Sequence, residues 1–175
     1  MYIIILNGDE MKKYKRKIIF GILIVFWMII IFLFSNQNGD VSSSKSQKIV
    51  DIIIKIFVKD FDTYSSVRQK ELLSKLSFFV RKCAHMSEYA ILALFIFFFL
   101  TDNLKLLRYI IPILSCFIYA CSDEFHQSFV GGRGPSFKDV MIDTLGSVLI
   151  IVCLFVFFFI RKKVTNRKNE NPTLH

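Results

Sequence analysis

The chain lacks the short signatures by which soluble enzymes most readily show their chemistry. It holds no G-x-S-x-G nucleophile elbow, no phosphate-cradling P-loop and no G-x-G-x-x-G dinucleotide turn. Its four cysteines, Cys83, Cys116, Cys121 and Cys153, form no C-x-x-C pair and fall in or beside apolar segments. Small buried hydrophobes are the plain reading for them. Acidic residues are the minority, 14 against 23 Lys and Arg, which leaves a net charge of +9. In a soluble domain that excess would suggest nucleic acid. Here the basic residues mostly flank apolar runs, so lipid headgroups and topology account for them and nucleic acid is set aside.

What the chain has in quantity is hydrocarbon. It is 54% hydrophobic over 175 residues, with a mean hydropathy of +0.50. That places it in the membrane class, as one compact unit. The first apolar run, "IIFGILIVFWMIIIFLF" from Ile18 to Phe34, carries no charge. As a helix it rises about 26 Å, enough to span a hydrocarbon core. The basic "KKYKRK" precedes it, but "FSNQNG" after it offers no A-x-A-like cleavage site, so an uncleaved helix is expected. Residues 1–10 sit oddly before the basic cluster, and Met11 is an alternative start that N-terminal sequencing would decide.

Three further spans are expected, at about 84–100, 106–122 and 140–160. The third contains Pro112, tolerable where neighbours satisfy the freed carbonyl. Between the first two spans, "SQKIVDIIIKIF" puts Ile49, Ile52, Ile53 and Ile56 on one helical face but includes Lys48, Asp51 and Lys55. It is too short to cross and reads as an interfacial amphipathic helix. Ser66 and Gln69 then make a capping-box pattern for a helix that would run on into the second span. The fold class is therefore all-α: a polytopic membrane protein with four transmembrane helices and an interfacial helical segment between the first and second. Residues 1–17 form a basic N-terminal tail, 18–160 the membrane domain and 161–175 a basic C-terminal tail. The positive-inside rule puts both tails in the cytoplasm, with 12 of the 23 basic residues inside and 11 outside.

That topology brings the unusual polar residues to one side. At the start of span two, "RKCAHMSEY" places Arg81, His85 and Glu88 on one helical stripe, with Lys82 and Tyr89 beside them. Glu88 lies more than a turn inside the apolar run, where a charge costs on the order of 3 kcal/mol unless it is paired, protonated or hydrated. At the end of span three, Ser115, Tyr119, Ser122 and His126 form a second stripe, with Asp123, Glu124 and Gln127 at the same helix end. The helix dipole disfavours anions there, so these carboxylates call for a cation, a metal or a proton. At the start of span four, Asp139, Asp143 and Gly146 share a stripe, and Gly146 would admit another helix closely. Bland readings exist for each. Ser136 with Asp139 makes a capping pair, Arg81 and Lys82 suit interfacial anchors, and Gly131, Gly132 and Gly134 make a turn. Taken together, three ionisable stripes on one side point to a single polar pocket open to the outer leaflet. In it Arg81 and Arg133 would face Glu88, Asp123, Glu124, Asp139 and Asp143.

These blocks carry a resemblance. "RKCAHMSEYAILAL" followed by "YACSDEFHQSFVGGRGPSFKDVMIDTLGSVL" resembles the VanZ-like family, bacterial integral membrane proteins named for a teicoplanin-resistance protein. "FSNQ" just after span one fits the same pattern, and the resemblance covers roughly residues 18–160. The family pattern falls on Lys82, His85, Glu88, Tyr89, Asp123, Glu124, His126, Gln127, Arg133, Asp139, Asp143 and Gly146. Two positions depart from it: Gly131-Gly132 stands where many members have Pro-Gly, and Asp143 where many have Asn. The resemblance implies a role in the bacterial cell envelope.

Three functions then compete. In the first, the pocket binds a membrane lipid or lipid-linked precursor headgroup and lowers susceptibility to teicoplanin-type glycopeptides, with Arg81 and Arg133 suited to phosphate. In the second, the protein is an enzyme acting on such a substrate. His85, Glu88, Glu124, His126 and Asp143 would hold a divalent metal or act as acid and base, although their spacing matches no established metal signature. In the third, Glu88 or Asp143 relays protons in a small transporter or flippase, for which four spans leave little room unless the protein forms homo-oligomers.

Overall fold

The computed structural model describes residues 8–36, 39–100, 104–129 and 136–170, with the side chains of 39–46 and 168–170 set aside. Arg133 and the glycine-rich turn lie outside the described residues. All regular structure among the described residues is helical: α1 (Gly8–Ser35), α2 (Gly39–Phe57), a short 3-10 turn (Phe61–Thr63), α3 (Ser66–Phe99), α4 (Leu107–Gln127) and α5 (Phe137–Glu170). The chain is a membrane protein by composition and by the length of its apolar helices. Three helices, α1, α3 and α5, are long and apolar enough to cross a bilayer. The faces they leave uncovered are hydrocarbon, as with Ile22, Val25 and Phe26 on α1 and Leu149, Val152 and Phe157 on α5. A soluble surface would not present such continuous apolar bands.

The helix expected over 106–122 forms as α4, but α4 falls short of the same standard. It has 21 residues, and its closing turns, "SDEFHQ", are polar. Of the described helices, α3 is the hub, packed against each of the other four. The buried core gathers Ile31 from α1, Tyr89, Leu92, Ala93 and Phe97 from α3, Cys116 and Ala120 from α4, and Val140 and Ile151 from α5. Polar stitches cross this core. Trp27 Nε1 donates to the Glu88 carbonyl at 2.9 Å, and the Tyr119 hydroxyl donates to the Met28 carbonyl at 2.7 Å. They fix the rotation and height of α1 against α3 and α4, because an indole or phenol in an apolar interior must find an acceptor. At the opposite end of the core, the Arg108 guanidinium lies 4.1 Å from the Phe97 ring centre.

Several helices run past their apolar stretches. α1 begins at Gly8, so the basic cluster Lys12–Lys17 is helical. α3 is one continuous helix of 34 residues, and its first sixteen extend about 24 Å beyond the apolar part. Its N-cap is Ser65, one residue before the expected Ser66: Ser65 Oγ accepts from the Arg68 amide at 3.4 Å. Gln69 does not close a capping box. Its side chain donates instead to the Phe61 carbonyl at 3.1 Å and ties the 3-10 turn to α3.

α2 is longer than its apolar pattern suggested. It packs on α3 through Val50 and Ile54, which are buried, while Ile49, Ile52 and Ile56 are exposed. The helix thus has two apolar faces: one seats it on α3 and the other is uncovered. The cysteines also divide. Cys116 is buried as expected, but Cys153 is exposed on the apolar flank of α5.

Candidate functional site

Four chain segments meet at one end of the bundle: the last residue of α1, the middle of α3, the last turns of α4 and the first turns of α5. The end of α4 is the most buried of them. Its face 116, 120, 123, 124 and 127 is buried, by the helical repeat, so the apolar Cys116 and Ala120 lead directly into Asp123, Glu124 and Gln127. Asp123 is 4% exposed. The Ser35 hydroxyl donates to Asp123 Oδ2 at 2.8 Å, and Gln127 Nε2 donates to the same oxygen at 3.0 Å. Gln127 Nε2 also contacts Ser35 Oγ, closing a three-membered polar knot between α1 and α4. Two donors on one carboxylate oxygen recover part of the cost of burying that charge.

Glu124 points the other way, to α5. Its Oε1 accepts from the Ser136 backbone N–H at 2.7 Å. Ser136 and Asp139 carry the expected capping pattern, and Asp139 N–H does bond to the Ser136 carbonyl at 2.9 Å. The acceptor for the capping residue's own N–H, however, comes from α4. Asp139 is left to pair with Lys82 of α3, Nζ to Oδ2 2.6 Å, with the lysine side chain largely buried. An anion at a helix start is favoured by the dipole, and here two carboxylates share that place.

The α3–α5 crossing sets the rest. Gly146 faces Met86 so closely that a Cβ built on it would lie 2.0 Å from the Met86 carbonyl oxygen. Only a residue without a side chain permits this approach. One turn before Gly146, Asp143 is 6% exposed and within electrostatic reach of His85, Lys82, Asp123 and Asp139. One residue before Met86, His85 Nδ1 lies 3.4 Å from Glu88 Oε2, an ion-pair distance without hydrogen-bond geometry. Tyr89, the next residue, is fully buried and packs its ring 6.1 Å from that of Tyr119.

Lys82, His85, Glu88, Tyr89, Asp123, Glu124, Gln127, Asp139 and Asp143 are therefore neighbours across α3, α4 and α5. Two of the residues read from the sequence stand apart. His126 turns toward α1, its ring 4.6 Å from that of Phe32. Arg81 turns away from the cluster, its guanidinium 5.9 Å from the Phe78 ring. Arg133 lies outside the described residues. Among the described residues no three His, Cys, Asp or Glu side chains are placed to hold one metal ion, so His85, Glu88, Glu124, His126 and Asp143 do not form a ligand set in this arrangement. Ser35 is the member that motif reasoning left without a role. Its signal was "FSNQ", a polar break directly after a charge-free run.

The cluster is rich in acceptors and incompletely satisfied. Tyr89 Oη, Asp123 Oδ1, His85 Nδ1 and Glu88 Oε2 are buried and make no hydrogen bond among the described residues. Natively buried polar atoms are nearly always paired, by protein, water or ligand. Chemically, this end of the bundle offers fixed carboxylates, one imidazole, one phenol and one ammonium within a low-dielectric frame.

A family model for VanZ/LLP1 matches residues 20–160. Neither the curated proteins nor the solved structures give a match. The match reaches into all five helices and covers every member of the cluster, and the chain belongs to the VanZ/LLP1 family.

Proposed function

We propose that this VanZ/LLP1 protein is a bacterial envelope protein that engages the headgroup of a membrane lipid or lipid-linked precursor at the outer leaflet. In this reading the α3–α4–α5 polar cluster is the binding site. α4 is a fourth crossing, α2 lies at the interface, and both termini are cytoplasmic. The observation that carries it is the set of buried polar atoms of α3 and α4 without hydrogen-bond partners among the described residues, with Asp143 in electrostatic reach of His85 and Asp123. A cluster that only held helices together would saturate them, because each unmet buried group costs roughly 1–3 kcal/mol. Ligand binding gives that cost a use.

The consequence for the cell is lower susceptibility to teicoplanin-type glycopeptides, through altered access to a lipid-linked target. The test is the minimum inhibitory concentration of teicoplanin in a susceptible Gram-positive host. Wild-type protein raises it severalfold, and Asp123→Asn at equal membrane abundance returns it to the vector level. A wild-type protein that leaves susceptibility unchanged would refute the resistance role.

A second reading has one observation in its favour. The His85–Glu88 pair, close but not hydrogen-bonded, is suited to general acid–base work on a lipid-linked substrate, since catalytic hydrogen bonds often tighten only with substrate present. Turnover of a lipid-linked precursor by purified protein, abolished in His85→Gln and Glu88→Gln, distinguishes an enzyme from a binding protein.

A further inference from the structure

The part of α3 that extends beyond the apolar bundle carries a stripe that the polar cluster does not use. Lys70, Ser74, Ser77 and Arg81 follow one another at intervals of four, three and four residues, which places them on a single helical face. The structure forms a groove along this face. Gln47 of α2 closes it from the opposite side, and Leu73 and Phe78 complete the lining. Among the described side chains the groove thus holds two cations, two hydroxyls and one amide, and no carboxylate.

Charge is separated around it. Lys70 and Arg81 form no ion pair among the described residues. Glu71, the acid next to Lys70 along α3, is taken by Lys75 at 2.6 Å, and Glu88, seven residues after Arg81, lies 3.4 Å from His85. Among the described side chains, the acids of α2 and the following turn, Asp51, Asp60 and Asp62, line a separate cavity with Lys55. A groove that gathers unneutralised cations and hydroxyl donors, and keeps acids elsewhere, fits a phosphate oxyanion. The height of its Arg81 end identifies the source of that phosphate. Arg81 lies three residues before the apolar run that begins at Ala84. Phe78 and Phe79 beside it are 53% and 64% exposed, and Ile49, Ile52 and Ile56 of α2 are exposed on the facing helix. Uncovered aromatics and aliphatics at a span boundary mark the headgroup layer.

We infer that the α2–α3 groove binds the phosphate of an anionic phospholipid headgroup at its Arg81 end, with Ser77, Ser74 and Gln47 along its walls and Lys70, about 16 Å further along α3, adding to its positive field. The inference rests on the lipid-binding reading and adds to it a second contact region and a charge preference. Arg81, which stands away from the carboxylate cluster, acquires its role here.

The test uses the full-length protein purified in a neutral detergent. Fluorescent phosphatidylglycerol is titrated against phosphatidylcholine with the same acyl chains. Wild type prefers phosphatidylglycerol by about tenfold or more, the scale of one or two charge-assisted hydrogen bonds. The Lys70→Gln/Arg81→Gln double variant loses that preference, and Lys162→Gln/Lys163→Gln, an equal charge loss at the far end of α5, keeps it. Should the double variant fail to fold, Lys70→Glu alone, at an exposed position, is expected to reduce the preference. Excess inorganic phosphate does not displace the lipid if the headgroup layer is the source, whereas full displacement would show a free-phosphate site and overturn the lipid assignment. Undiminished preference in the double variant, or in Lys70→Glu where that is the variant that folds, overturns the groove and leaves the cluster reading standing. Wild-type protein that retains neither lipid would remove both.

Discussion

At the scale of single residues, Gly146 is the position at which sequence and structure constrain each other most tightly. An alanine in the middle of a helix ordinarily gains about 1 kcal/mol over glycine. Here the sign reverses, because the added Cβ would meet the Met86 carbonyl oxygen at 2.0 Å. Backbone cannot rotate out of the way, so α3 and α5 must separate, at a cost of about 1–3 kcal/mol. Gly146→Ala is expected to lower the thermal unfolding midpoint in detergent by several degrees; an unchanged midpoint would contradict the close crossing. Separation at this point also moves Asp143 from His85, so the glycine sets the geometry of the cluster without belonging to its chemistry. Asp123 shows the complementary case. One of its oxygens is held by Ser35 and Gln127, and the other is left without a bond among the described residues. Half of the carboxylate fixes structure, and the other half is the part the proposed headgroup would engage.

At the scale of elements, α5 depends on α4 for its start. Glu124 supplies the acceptor for the Ser136 N–H, the place usually filled from within the same helix. Glu124→Ala should fray the first turn of α5, raising hydrogen exchange at amides 136–139 while the α5 core around Ile151 stays protected. The expected loss is near 1 kcal/mol, typical of a helix cap. Unaltered exchange at 136–139 would show that the contact does not hold the turn. The same region shows what the sequence made legible. Long apolar runs revealed α1 and α5, because hydrocarbon length is a local property. The stripes at 82–89, 123–127 and 139–143 were legible because periodicity puts each set on one face. Partners across helices were not: nothing in "SFKD" says that an acid twelve residues upstream will cap it. Arg81 followed the helical spacing of His85 and Glu88, yet faces α2, since a stripe spread over more than a turn contacts different neighbours at each end. For α2 the apolar pattern at 49, 52, 53 and 56 was real, but Val50 and Ile54 are the residues that seat it on α3.

At the scale of the whole molecule, α3 organises the protein. Its C-terminal half forms the core with α1, α4 and α5, and its N-terminal half carries α2 beyond the bundle. The polar cluster sits where the two halves join. Three of its acids, Asp123, Glu124 and Asp143, are closed over at 4–6% exposure, so a headgroup reaching them would enter by local opening of the α4–α5 end. Asp143 adds one more carboxylate to that interior and strengthens its demand for a donor or a cation. The central claim is that this cluster exists to hold a lipid headgroup, and the lipids that travel with the protein test it most directly. Native mass spectrometry of the purified full-length protein should find a retained lipid or lipid-linked precursor on the wild type and its loss from Asp123→Asn folded to the same degree. The same lipid carried in equal amount by both would contradict the account.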